Sequence, residues 1–345
     1  MKKKILILVG HDLTIYNYRK ELVEELLYQE YEVIISCPYG ERTDDLIKMG
    51  CIFIDTPVER RGTNIINDLR LIACYIKIFN KIKPDIIMTY TIKSNIYGGI
   101  VNIVFKNKII HTVTGLGSVY IRKMWQSKII TMLNRLAFKN ANQIFFLNEE
   151  NKKFYRDLKI INSKHSVVIV PGSGVNLKEF QFSGYPQTDI VIFTFIARII
   201  KDKGIEEYLM ASEKIKKKYE NVQFKIVGFF DDKKYVSIVS DFEKRGIVKY
   251  MGKQFSNDIP NIMRQSSCIV LPSYGEGRGT VLQEGAAIGR ALITTNTYGC
   301  KDNVVEGRNG FLCNVADVES LTDLTFRSIV LSSSCTRLFI PSIRV

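Results

Sequence analysis

Residues 268–313 read CIVLPSYGEGRGTVLQEGAAIGRALITTNTYGCKDNVVEGRNGFLC. The apolar run 268–272 has the length of a buried strand and ends at Pro272. Gly275, Gly277 and Gly279 then open a loop, and the spacing predicts a helix from near Thr280 to 289 and a strand over 291–295. Strand, loop, helix, strand is the repeating unit of a parallel sheet with helices on its faces. In such a unit the N–H groups of Gly279, Thr280 and Val281 have no partner inside the helix. They carry the positive end of its dipole and form an anion site. Glu276 stands on the loop and Glu284 follows eight residues later. Carboxylates beside an anion site repel the anion unless they bind neutral hydroxyls, for which sugar or ribose is the natural source. The pair reads equally as ordinary acidic residues near a helix start.

The unit recurs on both sides. Upstream, 190–197 (IVIFTFIA) predicts a strand and 204–220 a helix. Between them Arg198 and Lys203 stand just past a strand's carboxyl end. There they can clamp a diphosphate, Arg through two parallel hydrogen bonds and Lys as a point charge, or form a solvated basic loop. Strands at 222–228 and 247–251 alternate with helices at 232–245 and 257–266. The first half keeps the same rhythm, with strands near 5–9, 33–37, 51–55, 86–90, 109–113, 144–147 and 167–170. Helices are expected near 18–29, 64–83, 95–105, 126–141 and 149–158. Residues 171–189 interrupt the rhythm with two prolines and three glycines. The expected fold is α/β: two Rossmann-like, doubly wound parallel-sheet domains facing across a cleft, one over 1–178 and one over 190–345, with 179–189 as linker.

The chain has 345 residues, 46% apolar and 24% charged, which excludes disorder, a collagen-like repeat and a disulfide-stapled mini-protein. No uncharged apolar run reaches the roughly 18 residues that span a bilayer. MKKKILILVG has a basic opening but only five apolar residues before Gly10 and His11, so it predicts a first buried strand and a cytoplasmic protein rather than a secretion signal. Seven dispersed cysteines without a C-x-x-C pair, and three histidines, exclude a Cys/His zinc site and read as small buried hydrophobes. The net charge is +14, and through Lys178 there are 27 bases against 16 acids. A basic half beside a nearly neutral one suggests that one domain meets nucleic acid, phospholipid headgroups or a pyrophosphate-linked substrate, with plain solubility as the bland reading.

Several rival chemistries lack their motif. GHDLTIYN after the first strand has no G-x-G-x-x-G, and no P-loop occurs. None of the sixteen aspartates stands two residues from another, so no Asp-x-Asp metal motif exists. Asp231-Asp232 reads as a solvated turn or a helix cap.

The combination Phe195-Ile196-Ala197-Arg198 with Lys203-Gly204, Leu271-Pro272-Ser273-Tyr274-Gly275-Glu276-Gly277, Glu276-x7-Glu284 and Asn309-Gly310-Phe311-Leu312 resembles the retaining glycosyltransferases of family 4, which have the GT-B fold. VPGSGVN at 170–176 and Phe180 are similar to that family's interdomain segment. Thr114-Gly115-Leu116-Gly117 and Phe146-Leu147-Asn148-Glu149 resemble its capsule and lipid-linked-oligosaccharide branch. The resemblance implies an N-terminal acceptor domain and a C-terminal nucleotide-sugar domain. It implies that Arg198 and Lys203 neutralise the donor diphosphate, that Glu276 binds the donor sugar and that Glu284 binds ribose hydroxyls. Gly279, Thr280 and Val281 would add N–H contacts, Gly228 and Met251 would bind the donor, and the uracil would rest against the loop around 250–253. Thr114, Gly115 and Gly117 would lie on the acceptor side. Many members carry a histidine where Thr114 stands, and His111 belongs to a strand. In the same-face mechanism proposed for such enzymes the leaving phosphate takes the acceptor proton, and neither metal nor cofactor is implied.

The implied partners are a nucleotide diphosphate sugar, for which UDP is the expected nucleotide, and a lipid-linked saccharide of capsule or O-antigen synthesis, with no nucleic acid. The basic amphipathic stretch 120–141 fits an anionic membrane on its inner face, or an ordinary half-buried helix. A 2-epimerase on the same fold is the alternative enzyme, and a basic nucleic-acid-binding protein the distant one. Residues 324–345 hold three arginines, no lysine, no acid and five serines. There the helical pattern beginning near Val318 is expected to dissolve, as if a frame change near Asp323 had replaced the ending and weakened activity.

Overall fold

The computed structural model describes residues 2–59, 64–116, 120, 126–255 and 258–333. Contacts divide the chain into two compact units, Met1–Ser173 and Gly174–Val345.

The first unit is a seven-stranded parallel sheet in the order β3-β2-β1-β4-β5-β6-β7. Its strands are β1 (Lys4–Leu8), β2 (Glu32–Cys37), β3 (Ile52–Asp55), β4 (Ile86–Tyr90), β5 (Lys108–Val113), β6 (Gln143–Phe146) and β7 (Val167–Ile169). The unbroken apolar run of β1 follows from burial on both faces. Leu6 and Leu8 enter one core with Ile87, Ile109 and the helix Ile65–Ile82. Ile5, Ile7 and Val9 enter the other with Val33 and Ile35. Each such side chain contributes about 1.5–3 kcal/mol of burial.

The second unit is a six-stranded parallel sheet in the order β10-β9-β8-β11-β12-β13. These are β8 (Val191–Ile196), β9 (Val222–Val227), β10 (Lys249–Tyr250), β11 (Cys268–Leu271), β12 (Ala291–Thr295) and β13 (Gly310–Cys313). Alternation again splits each strand between two cores. Cys268 and Val270 join Phe193 and Phe224 on one face, while Ile269 and Leu271 join Leu282 and Leu292 on the other.

Three local expectations need correction. The helix expected over 18–29 begins at Lys20 and runs Lys20–Tyr28, and an unexpected helix, Asp12–Tyr18, precedes it, the two being separated where Arg19 leaves helical geometry at φ −144°. The segment expected as a linker is fastened to the second unit. Phe180 is buried there with Met263 and Leu282, and the buried Arg290 donates through Nη2 to Ser183 O and Gly184 O at 2.7 Å each. The helical pattern also does not dissolve after Asp323, because the last helix runs Val318–Ser333. Leu321, Leu324 and Ile329 are buried, and the hydroxyls of Thr325 and Ser328 donate to Leu321 O at 2.7 Å and Leu324 O at 3.0 Å. Back-bonding to the preceding turn lets serine and threonine occupy a buried face. The rest of that tail, 334–345, lies outside the described residues.

Candidate active site

In the second unit β8 and β11 are neighbours although two strands separate them in sequence, and the later strands run outward from them on both sides. Such a topological switch point opens a crevice at the carboxyl ends of the strands, where ligands bind. Arg198 and Lys203 leave β8 at that end, and the loop 272–279 leaves β11. Gly228 follows β9 and Met251 follows β10.

The two central loops are bolted together. The N–H of Tyr274 donates to Asp202 O at 2.9 Å, and Ser273 Oγ donates to the same oxygen at 3.0 Å. Gly204 has φ +75°, and a Cβ there would lie 2.1 Å from Pro272 O, so only glycine allows the approach. This brings Lys203 Nζ into an ion pair with Glu276 Oε1, both side chains being about 15% exposed. Lys203 and Glu276 are thus one charged pair rather than two separate contacts.

Arg198 Nη1 donates to Asp231 Oδ2 at 2.6 Å. Asp232 accepts from the N–H of Lys234 at 3.1 Å, at the start of the helix Lys234–Lys244. The adjacent aspartates therefore divide their work, and the pairing of Asp231 is what the sequence reading missed. Its available signal was position, since Asp231 follows β9 as Arg198 follows β8 in a parallel pair. Gly228, at φ +147°, sits where a Cβ would fall 1.8 Å from Ala197 O, so its absent side chain lets the Arg198 loop close onto β9. Tyr250 Oη donates to Gly228 O at 2.9 Å, and the N–H of Met251 to Ile226 O at 2.8 Å.

Gly279, at φ +64°, opens the helix Thr280–Ile288. The first bond within the helix is Leu282 N–H to Gly279 O at 2.8 Å, which leaves the N–H groups of Thr280 and Val281 facing out of the helix end. Asn303 Nδ2 donates to Arg278 O at 2.8 Å and Gly299 O at 2.9 Å, holding this loop in place.

Two family descriptions match the chain, "Glycosyl transferases group 1" over residues 177–329 and "Glycosyl transferase 4-like" over residues 4–148. This chain is a group 1 glycosyltransferase. It is 26% identical over 331 residues to the N,N'-diacetylbacillosaminyl-diphospho-undecaprenol alpha-1,3-N-acetylgalactosaminyltransferase of Campylobacter jejuni, covering 90% of this chain and 85% of that protein. It is 25% identical to the UDP-Gal:alpha-D-GlcNAc-diphosphoundecaprenol alpha-1,3-galactosyltransferase of Escherichia coli, covering 88% and 81%. Among solved structures it resembles Anabaena Alr3699/HepE in complex with UDP and glucose, with TM-score 0.79, 15% identity and coverage of 97% and 91%. The expected fold, two parallel α/β sheets with GT-B neighbours, stands.

In this glycosyltransferase Glu284 is half-buried one turn inside the helix Thr280–Ile288, and among the described residues no hydrogen bond or ion pair reaches it. Desolvation, and then the negative charge of Glu179, push its carboxyl up from 4.5 to about 8. At neutral pH the ligand-free group is mostly protonated and offers an O–H donor as well as acceptors, the inventory that a vicinal diol matches. On the first unit Thr114 and Gly115 are half-buried just past β5, while Gly117 lies outside the described residues. His111 is inside β5, fully buried, stacked on Phe138 at 4.4 Å with Nδ1 2.6 Å from Thr89 Oγ1, and burial pushes its pKa down to about 3. It is a neutral core histidine. Among the described residues no three His, Cys, Asp or Glu side chains converge as metal ligands would, and no helix is long and apolar enough to cross a membrane.

Proposed function

We propose that this glycosyltransferase moves a hexose or N-acetylhexosamine from a UDP-sugar to a lipid-pyrophosphate-linked saccharide of surface polysaccharide synthesis, with retention of configuration. The observation that carries the reading is the Lys203–Glu276 pair at the β8/β11 switch point, flanked by Arg198 and by the open helix end at Thr280 and Val281. A nucleotide diphosphate placed there meets two cations and two backbone N–H groups, while its hydroxyls meet Glu276 and Glu284. Donors aimed at a departing diphosphate stabilise the charge that grows in the transition state. The compensating positive charge comes from Arg198 and Lys203, so the transfer proceeds without a divalent metal, and the leaving phosphate oxygen accepts the acceptor's proton. The printed names of the Campylobacter and Escherichia relatives, both acting on diphospho-undecaprenol-linked saccharides, support the acceptor class.

The same reading places the enzyme in the cytoplasm, touching the inner face of the membrane. On the helix Ser127–Phe138, Ile129, Met132 and Leu136 are 49%, 63% and 45% exposed, and Lys128 and Arg135 flank them. The upstream part of the expected basic stretch, 121–125, lies outside the described residues.

The test is a panel of UDP-sugars with an undecaprenyl-diphosphate-linked saccharide. Anomer analysis of the product should show retention, and Glu276→Gln should abolish transfer. Free epimerised sugar without an acceptor, or no turnover of any UDP-sugar, refutes the proposal. Sedimentation with vesicles containing anionic lipid, but not with zwitterionic ones, checks the membrane contact.

A further inference from the structure

The first unit has a switch point of its own. β1 and β4 are neighbours, with β2 and β3 running outward on one side and β5, β6 and β7 on the other. Thr114 and Gly115 follow β5, one strand away from it. At the carboxyl end of the central pair, β1 leads into Gly10 and His11 while β4 ends at Tyr90 and leads into Thr91. The two loops touch, since a Cβ on Gly10 would lie 3.2 Å from Thr91 Oγ1.

Arg19, the residue that splits the two helices after β1, lies with its guanidinium 5.1 Å from the centre of the Tyr90 ring. Its Nη1 donates to Tyr18 O at 2.6 Å and to Ser173 Oγ. Both partners are neutral, and among the described residues no carboxylate pairs with Arg19. Other cations nearby in the sequence and fold have their counter-charges. Lys20 pairs with Glu24 at 3.9 Å, Arg42 with Asp45 at 2.9 Å and Lys93 with Asp68 at 2.7 Å. An arginine braced on an aromatic face and hydrogen-bonded only to neutral groups keeps its charge for an anion.

A second polar group stands on the same sheet end. His11 Nδ1 is 2.6 Å from Asp12 Oδ1, and Asp12 is fully buried. Asp12 also accepts from the N–H of Leu13 at 2.8 Å and of Arg42 at 2.6 Å. The Leu13 N–H lies nearer to that carboxylate than to His11 Nδ1, at 3.2 Å, so Nδ1–H donates to Asp12. The buried carboxylate thereby fixes the tautomer and orientation of the imidazole.

We infer that the β1/β4 crevice is a second phosphate site, in which Arg19 grips a phosphate or diphosphate ester through its guanidinium fork and His11 contributes beside it. The inference rests on the transferase reading for its ligand. Diphosphate can come from either substrate, the nucleotide sugar or the lipid-linked acceptor, and the chemistry of the crevice is the same for both. A guanidinium at a sheet end that opens onto no counter-charge recognises the shared group.

Calorimetric titration of the full chain with two probes, UDP and geranyl diphosphate, separates the sources. Arg19→Gln is expected to weaken geranyl diphosphate about tenfold or more, the usual loss of a charge-assisted hydrogen bond, and to leave UDP within twofold. A tenfold loss for UDP instead assigns the site to the donor's diphosphate. Arg19→Lys keeps the charge without the fork and should fall between Arg19→Gln and the parent. It also serves as the folded control should the glutamine variant melt early. His11→Ala should weaken the same probe that Arg19→Gln weakens. If UDP binds and Arg19→Gln changes neither probe, the second site is refuted while the donor site stands. If UDP fails to bind the unaltered protein, the transferase reading itself is at fault.

Discussion

Replacing Glu284 by glutamine tests the electrostatics of the site independently of catalysis. The carboxyl is raised from 4.5 to about 8, chiefly by desolvation and then by Glu179. A group whose folded pKa is raised contributes fully to stability below its unfolded pKa, and that contribution is lost as pH rises through the folded pKa. For this glutamate the window runs from about pH 4.5 to about pH 8. Because the unfolded carboxyl ionises freely while the folded one resists, the fold loses stability relative to a residue that does not titrate, about 1 kcal/mol at pH 5 and about 4 kcal/mol at pH 8, from 1.36 kcal/mol per pKa unit. Glutamine keeps the shape and never ionises, so Glu284→Gln should raise the melting temperature, modestly at pH 5 and more at pH 8. At about 2–4 °C per kcal/mol for a domain of this size, the increments are about 2 °C and about 10 °C. Melts monitored at pH 5, 6.5 and 8 in the absence of nucleotide measure this directly. An increment that does not grow with pH, or a variant less stable than the parent at pH 8, refutes the reasoning. Glu179→Gln should lower the pKa of Glu284 and shrink the increment, because the like charge is gone.

Glu276→Ala should lose mainly turnover, and Glu284→Ala mainly donor affinity, both with an intact fold, as steady-state kinetics on a UDP-sugar would report. Lys203→Met should cost about 100-fold or more in turnover, the loss typical of one donor to a developing oxyanion. Adding Glu276→Gln to it should not restore activity, since neither member of the pair then carries its charge. Gly228→Ala should destabilise the second unit by about 3 kcal/mol or more in urea unfolding, because its Cβ would overlap Ala197 O and its φ is unfavourable. Transfer should proceed at full rate in excess chelator, and an absolute requirement for added magnesium or manganese would contradict the charge-compensation reading.

Local chemistry determined much of this protein in advance. Unbroken β-branched and aromatic runs announce strands buried on both faces, and the helical runs between them leave a parallel sheet as the way to pack both. The loop chemistry was legible for the same reason. Gly204, Gly228 and Gly279 have positive φ, and that backbone need is written in the residue itself. Other features required the folded chain. Strand order decides which loops meet, so the union of Lys203 with Glu276, 73 residues apart, and of Arg198 with Asp231, 33 apart, follows only once β8 lies between β9 and β11. Burial decides charge states, and Glu284 is an ordinary acid until the helix Thr280–Ile288 removes it from water beside Glu179. Arg19 shows the limit most plainly. Within KELVEELLY and its neighbours it reads as one more surface cation, and only the pairing of β1 with β4 brings Tyr90 beneath it without a counter-charge. Periodicity and backbone preference are properties of short segments, whereas contacts between distant loops and the loss of solvent belong to the whole domain.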